Sequence, residues 1–298
     1  MQKIFAIVVT YNGKRWYDRC LGSLRDSETP VETIVIDNAS SDGTIEYVKA
    51  HFPNVHLIES KENLGFAKAN NIGIRYAIDN NADYVFLLNQ DAWIERDTLK
   101  ILLRTFVENE NVGIASPIHL NGSHTGLDYN FVHYMGGGFA SDAFMKNAKL
   151  YYERPFVNAA AWLIDRQCVE VVGGFDTSLF KHYGEDINYC QRVLYHGFNI
   201  IVNTTCSICH DREERKGNDG KYKTISAKTP FLIERQTYGD INVKYDFDGI
   251  KKSLRKKIFK RFMLGKHQDI KEIRREISCL DLIESSRQIN VNKGRNWL

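Results

Sequence analysis

Four short polar runs stand where ligand chemistry could be done: Thr10-Tyr11-Asn12, Asp37-Asn38-Ala39-Ser40-Ser41-Asp42-Gly43, Asn63-Leu64-Gly65-Phe66-Ala67-Lys68-Ala69-Asn70-Asn71 and Asn89-Gln90-Asp91. The first, second and fourth each follow a β-branched or apolar run. The third opens a helical pattern, where free backbone N–H groups and the helix dipole suit a phosphate. Side chains able to hold a base or ribose, set beside a phosphate-binding helix start, make a nucleotide-type site.

The elements that must carry these runs follow from periodicity. Ile4 to Thr10, Thr33 to Asp37, Val55 to Glu59 and Tyr84 to Leu88 read as strands, and Tyr17 to Leu24, Thr44 to Ala50 and Ala67 to Ile78 read as helices between them. This alternation predicts a parallel sheet with right-handed crossovers, its strands apolar on both faces because helices cover them. In such sheets ligands bind at the carboxyl ends of the strands, so three polar runs converge on one crevice. From Pro117 to Phe156 the periodicity is poor and Gly and aromatic residues are frequent, which predicts loops and short strands lining a cleft. Regular structure resumes with a strand from Val157 to Ile164 and a helix to Val172. A helix from Glu185 to Tyr195 then stops at Gly197, and a strand-like run spans Asn199 to Thr204.

Composition bounds the function. The chain has 298 residues, enough for one large α/β domain with an extension or for two ordinary domains. With 43% hydrophobic and 26% charged residues it reads as soluble and globular, and a net charge of +3 excludes wholesale nucleic-acid binding. No secretion signal and no apolar run of bilayer length are visible, and the 6 cysteines fit reduced thiols in a cytoplasmic protein.

Taken together, Val8-Val9-Thr10-Tyr11-Asn12, Val35-Ile36-Asp37-Asn38-Ala39-Ser40-Ser41-Asp42-Gly43-Thr44, Asn63-Leu64-Gly65-Phe66-Ala67, Asn89-Gln90-Asp91 and Gly184-Glu185-Asp186 resemble family 2 glycosyltransferases in content, order and spacing. The resemblance covers about residues 3 to 212 and is nearest to the bacterial rhamnosyltransferase-like branch. It implies a GT-A fold, an α/β domain with a mostly parallel doubly wound sheet over residues 1–225, followed by a helical extension over 226–298. It also implies inverting transfer of a sugar, rhamnose among the candidates, from a nucleotide-diphosphate sugar to a hydroxyl of a glycan or lipid-linked acceptor in cell-surface polysaccharide synthesis. The branch favours a deoxythymidine-diphosphate donor, with uridine and guanosine donors also used in the family.

The resemblance assigns roles residue by residue. Asp91 would hold Mg²⁺ or Mn²⁺ against the diphosphate, although Asn89 stands where the family carries a second carboxylate; an Asp capping the following segment is the alternative. His210 would reach the metal or diphosphate, or be structural. Asp37 and Asn38 would hold base or ribose, flanked by Thr10, Tyr11 and Asn12, with Asn63, Gly65, Lys68, Asn89 and Gln90 completing the donor site. Lys68 reads equally as a solvated helical charge. Asp42-Gly43-Thr44 reads as a turn and helix start that shapes the loop. Asp186, with Glu185 beside it, matches the family's base, which deprotonates the acceptor; the rival is a pair of first-turn acids serving the helix dipole. Trp162 and the loop from Phe131 to Phe144 are acceptor contacts or, for Trp162, core packing.

Cys206-Ser207-Ile208-Cys209-His210 formally fits a haem-attachment pattern, which we reject because it lies inside the larger match and no export signal accompanies it. Zinc ligation by that pentapeptide is rejected because no second Cys/His pair occurs at ligand spacing. Lys251 to Lys266 is basic without any acid, and Ile250, Leu254, Ile258, Phe262 and Met263 recur at helical spacing. That segment reads as a helix for an anionic membrane surface, or as one packed on its own domain or on a second copy of the chain. Rival readings of the whole are a sugar-phosphate nucleotidyltransferase and a catalytically silent nucleotide-binding module.

Overall fold

The computed structural model describes residues 2–212 and 231–294, so the expected domain boundary at 225/226 lies outside the described residues. β1 (Ile4–Thr10), α1 (Tyr17–Arg25), β2 (Glu32–Asp37), α2 (Thr44–His51), β3 (His56–Glu59), α3 (Gly65–Asp79) and β4 (Tyr84–Leu88) follow the predicted alternation. β2 lies against one edge of β1 and β4 against the other, all parallel. The strand order β3-β2-β1-β4 therefore reverses between β1 and β4, which opens a crevice at their carboxyl ends. Thr10 to Asn12 and Asn89 to Asp91 stand at that crevice.

Beyond β4 the sheet is mixed. β5 (Ala92–Ile94), α4 (Thr98–Glu108), β6 (Val112–Asn121), α5 (Tyr129–Phe144), β7 (Tyr151–Glu153), β8 (Ala161–Asp165), α6 (Arg166–Val172), α7 (Glu185–Tyr195) and β9 (Asn199–His210) complete the α/β unit. β8 runs antiparallel to both β4 and β6, while β9 is parallel to β6 and antiparallel to β5 and β7. β9 continues six residues past the predicted Thr204, through a register shift opposite Pro117/Ile118, and this extension carries Cys206 to His210 into the sheet.

The segment expected as loop from Phe131 to Phe144 is helical. Asp128 caps it by accepting from the N–H groups of Asn130 and Phe131, and the helix is interrupted only at Gly136, whose φ of 71° is costless for glycine. Sequence periodicity missed it because the buried side is narrow, with Phe131 and Met135 as its buried residues. The predicted strand from Val157 shortens to Ala161–Asp165 for a different reason: the chain turns at Ala159 and Ala160, and the Val157 carbonyl meets Cys190 Sγ of α7 instead of a neighbouring strand.

Two apolar layers cover the faces of the sheet, one built around α3, α6 and α7 and the other around α1, α2 and α4. A third cluster joins Leu179 and Phe180, before α7, to helices α9 (Phe247–Met263) and α10 (His267–Asn290), with α8 (Leu232–Tyr238) beside them. Polar ties hold the same joint: buried Asp176 accepts from the Ser178 and Leu179 N–H groups, from the Ser286 hydroxyl and from the Asn290 amide. Fully buried Arg192 donates to the carbonyls of Val172 and Gly174 and to Asn188 Oδ1. Arg192→Met strands those carbonyls in the interior and is expected to cost about 3 kcal/mol of folding free energy, read from urea denaturation.

Candidate active site

The loops at the strand ends are latched to one another. Gln90 Oε1 accepts from Thr10 Oγ1 at 2.7 Å and from the Tyr11 N–H at 3.0 Å, so β4's end holds β1's. The Asn12 N–H donates to Ser40 Oγ at 2.9 Å and Asn12 Oδ1 accepts from the Ser41 N–H at 2.8 Å, which ties β1's end to β2's. Asp42 accepts from the Thr44 N–H and Oγ1 next to left-handed Gly43, the turn and helix start expected of that triplet.

Asp37 is fully buried; one carboxylate oxygen accepts from the Ser40 N–H at 2.9 Å while Oδ1 has no partner. An unpartnered buried carboxylate oxygen is an acceptor awaiting a donor, as a ribose hydroxyl or base N–H would be. Asn38 works differently from the expectation. Its Oδ1 accepts from the Leu64 N–H and its Nδ2 donates to the Gly65 carbonyl, so the side chain is spent on holding the 63–65 turn. Asn63 Oδ1 caps the same turn through the Gly65 N–H at 2.9 Å. Gly65 has a φ of +79°, and a Cβ there would lie 2.9 Å from the Lys181 carbonyl, so glycine lets the segment before α7 close on the start of α3. Tyr11 is 49% exposed beside the crevice, whereas Lys68 is exposed on α3 and lines a separate hollow of about 530 Å³ with Asn71, Arg75 and Thr177.

Asp91 and His210, 119 positions apart, meet because β5 pairs with the end of β9 and sets Ala92 opposite His210. Both are buried, with His210 Nε2 3.3 Å from Asp91 Oδ1 and 3.4 Å from Asn89 Nδ2. Behind the ring, Nδ1 lies 3.7 Å from Asp128 Oδ2 and 3.2 Å from Arg212 Nε, which itself lies 3.1 Å from Asp128. Arg212 Nε–H donates to Nδ1, so in the neutral ring the proton sits on Nε2 and faces Asp91 Oδ1. A cation taking the place of that Nε2 proton would meet the Asp91 carboxylate and the His210 imidazole, a mixed oxygen and nitrogen donor set. That set fits a divalent cation shared with a diphosphate. Buried His119 stacks on Phe131 at 4.6 Å and lies 6.4 Å edge-on to His210; burial first, then the charges of His210 and Arg212, holds it well below the usual histidine range and so uncharged.

Glu185 and Asp186 open α7, whose start is set by left-handed Gly184. Glu185 is 7% exposed with Oε2 unpartnered; burial and then the adjacent Asp186 push it up to about 8. Asp186 is partly exposed and accepts from the Ile187 N–H at 2.9 Å. Burial raises it to about 6, and N–H groups including that of Ala159, together with the charge of Arg212, work against the rise. The two neighbours thus differ: Glu185 keeps its proton to higher pH than Asp186, which is the more exposed carboxyl of the two. Arg212 donates to His210 Nδ1, and its charge also favours the ionised form of Asp186.

Trp162 is corrected. It is fully buried against Phe175 and Tyr189, with ring centroids 6.2 and 5.8 Å away, because its position in β8 faces the α7 layer; it packs the core and offers no surface to an acceptor. Asp128 and Arg212 were missed. The signal for Asp128 was an Asp three positions before Phe131 at a helix start, obscured by reading that stretch as loop; Arg212 had none.

The family model of glycosyl transferase family 2 matches residues 5–173. The chain belongs to that family. The nucleotidyltransferase reading falls with this assignment. Among curated relatives, this family 2 glycosyltransferase is 26% identical to the dTDP-rhamnosyl transferase RfbF of Shigella flexneri, over 70% of this chain and 68% of that protein. It is 24% identical to the N-acetylglucosaminyl-diphospho-decaprenol L-rhamnosyltransferase of Mycobacterium tuberculosis, over 72% of this chain and 77% of that one. The solved structure of the mannosyltransferase PcManGT from Pyrobaculum calidifontis, in complex with GDP-Man and Mn²⁺, shares the fold with a TM-score of 0.59 at 18% identity, over 97% of this chain and 87% of that one. The fold is GT-A, as the resemblance implied.

Proposed function

We propose that this glycosyltransferase transfers a sugar with inversion from a nucleoside diphosphate sugar, rhamnose on deoxythymidine diphosphate being the first candidate, to a hydroxyl of a glycan or lipid-linked acceptor in polysaccharide synthesis. The observation that carries the reading is the buried Asp91–His210 pair just past the carboxyl end of β4, with His210 Nε2 3.3 Å from Asp91 Oδ1, beside which Asp186 at the start of α7 supplies the base in this reading. The two rhamnosyltransferase relatives support the donor sugar.

In this mechanism Asp37 receives the nucleoside and the latched loops of residues 10–13 and 89–91 shape its seat. Asp91 and His210 would hold Mg²⁺ or Mn²⁺, which when bound offsets the charge left on the departing diphosphate. Asp186 takes the acceptor hydroxyl proton, and the acceptor oxygen attacks the anomeric carbon from the face opposite the diphosphate, whose bond to that carbon breaks. Burial holds the Glu185 proton to higher pH than that of Asp186, so Asp186 is the first of the pair to ionise.

Incubation with deoxythymidine, uridine and guanosine diphosphate sugars, with Mg²⁺ or Mn²⁺ and no acceptor, tests this through slow release of nucleoside diphosphate followed by phosphorus NMR. Release is expected fastest from the deoxythymidine diphosphate sugar. Intact donors in every reaction, with nucleotide still bound, would identify a silent nucleotide-binding module instead.

A further inference from the structure

The basic segment expected as one amphipathic helix divides in two. Its first half is committed to the protein: Leu254 is buried, Ile250 packs on the same cluster, and Lys251 is buried with Nζ 2.8 Å from Asp281 Oδ1 and 2.7 Å from Glu284 Oε2 on α10. The second half and the turn into α10 are different. Phe259, Phe262, Met263 and Leu264 are 69%, 62%, 69% and 57% exposed, a run of large apolar side chains at the tip of the α9–α10 hairpin.

Around these side chains stand Arg255, Lys256, Lys257, Lys260 and Lys266, all exposed, with Arg261 paired to Asp269 at 3.3 Å. No acidic residue occurs between Gly249 and Gln268. No helix among the described residues is long and apolar enough to cross a membrane. We infer that the tip of the α9–α10 hairpin, through Phe259, Phe262, Met263 and Leu264 ringed by lysines, seats on an anionic lipid surface.

Charge complementarity selects this occupant. Apolar side chains enter the acyl boundary while the lysines around them meet lipid phosphates, the arrangement of a helix that lies in a membrane interface. A second copy of the chain fits worse, since a two-fold contact would set these lysines against their own images while Asp269, the acid beside them at the tip, is already paired to Arg261. The base of the hairpin rests on Leu179 and Phe180, in the segment that leads into Gly184 and Asp186. Lipid seating would therefore fix the side of the molecule that delivers the base, which suits a lipid-linked acceptor. The docking itself does not depend on the sugar-transfer reading.

Sedimentation of the full chain with phosphatidylglycerol and with phosphatidylcholine vesicles tests the inference, alongside sedimentation-velocity measurement of the free protein. Binding is expected to rise with phosphatidylglycerol content and to fall with added salt. Lys256→Glu with Lys260→Glu should weaken it by about thirtyfold or more, taking roughly fivefold for each charge near the surface, and Phe259→Ser with Phe262→Ser should weaken it at any salt concentration. Because these positions are exposed, melting temperature and nucleoside diphosphate release in vesicle-free buffer should stay at wild-type values. Equal recovery in the supernatant with and without vesicles would overturn the inference, as would a dimer in solution that the Phe259/Phe262 substitutions dissociate.

Discussion

Asp186→Asn is expected to lower sugar transfer by on the order of a hundredfold or more while nucleotide binding survives, the usual size of a lost general base. The wild-type rate should fall as pH drops through about 6, where burial places the Asp186 proton, and the remaining activity of the variant should lack that limb. The rival role, a first-turn acid serving the dipole of α7, makes an opposite prediction for stability. Both Glu185 and Asp186 are raised above their ordinary values, so the folded chain holds their protons to higher pH than the unfolded chain does. Their contribution to stability is therefore complete below the ordinary carboxylate range and is lost as pH climbs toward about 8. Removing the Asp186 charge should leave the melting temperature at pH 8 unchanged or higher, whereas a dipole-serving acid would lower it. Transfer at a near wild-type rate would end the assignment of Asp186 as base.

Asp91→Ala should reduce metal-supported turnover about a hundredfold and weaken nucleoside diphosphate binding far more with Mn²⁺ present than without it. Calorimetric titration of the nucleotide with and without metal separates this from simple damage to the crevice. Asp128→Asn touches no diphosphate in this scheme and acts through Arg212, which Asp128 holds at 3.1 Å and which donates to His210 Nδ1, so a smaller loss of metal affinity, about tenfold, is expected from it. Full activity in excess chelator would remove the cation from the reaction and leave the Asp91–His210 pair a structural contact.

The parallel half of the sheet and the polar runs at its carboxyl edge were legible in the residues themselves. β1 to β4 are short apolar runs between strong helical patterns, and each turn's chemistry, such as Asp42-Gly43-Thr44, is written within a few neighbouring positions. The acids Glu185, Asp186 and Asp91 were likewise visible at the ends of regular elements. Local pattern could not decide which polar side chains are free for a ligand. Asn38 and Gln90 look like ligand contacts by position, yet hydrogen bonds to residues 26 and 80 positions away occupy them, while Asp37 keeps an unpartnered oxygen. Burial is equally non-local: Trp162 is core because β8 turns it beneath Phe175 and Tyr189, and Lys251 is interior because α10 brings it two carboxylates. The His210 site depends on strand register, since β5 against β9 and the α5 cap against Arg212 collect Asp91, Asp128 and His210 from segments without mutual periodicity. Sequence spacing encodes which face of its own element a side chain takes; only the packing of elements against one another settles what that face meets, and with it the proton affinities of Glu185 and Asp186.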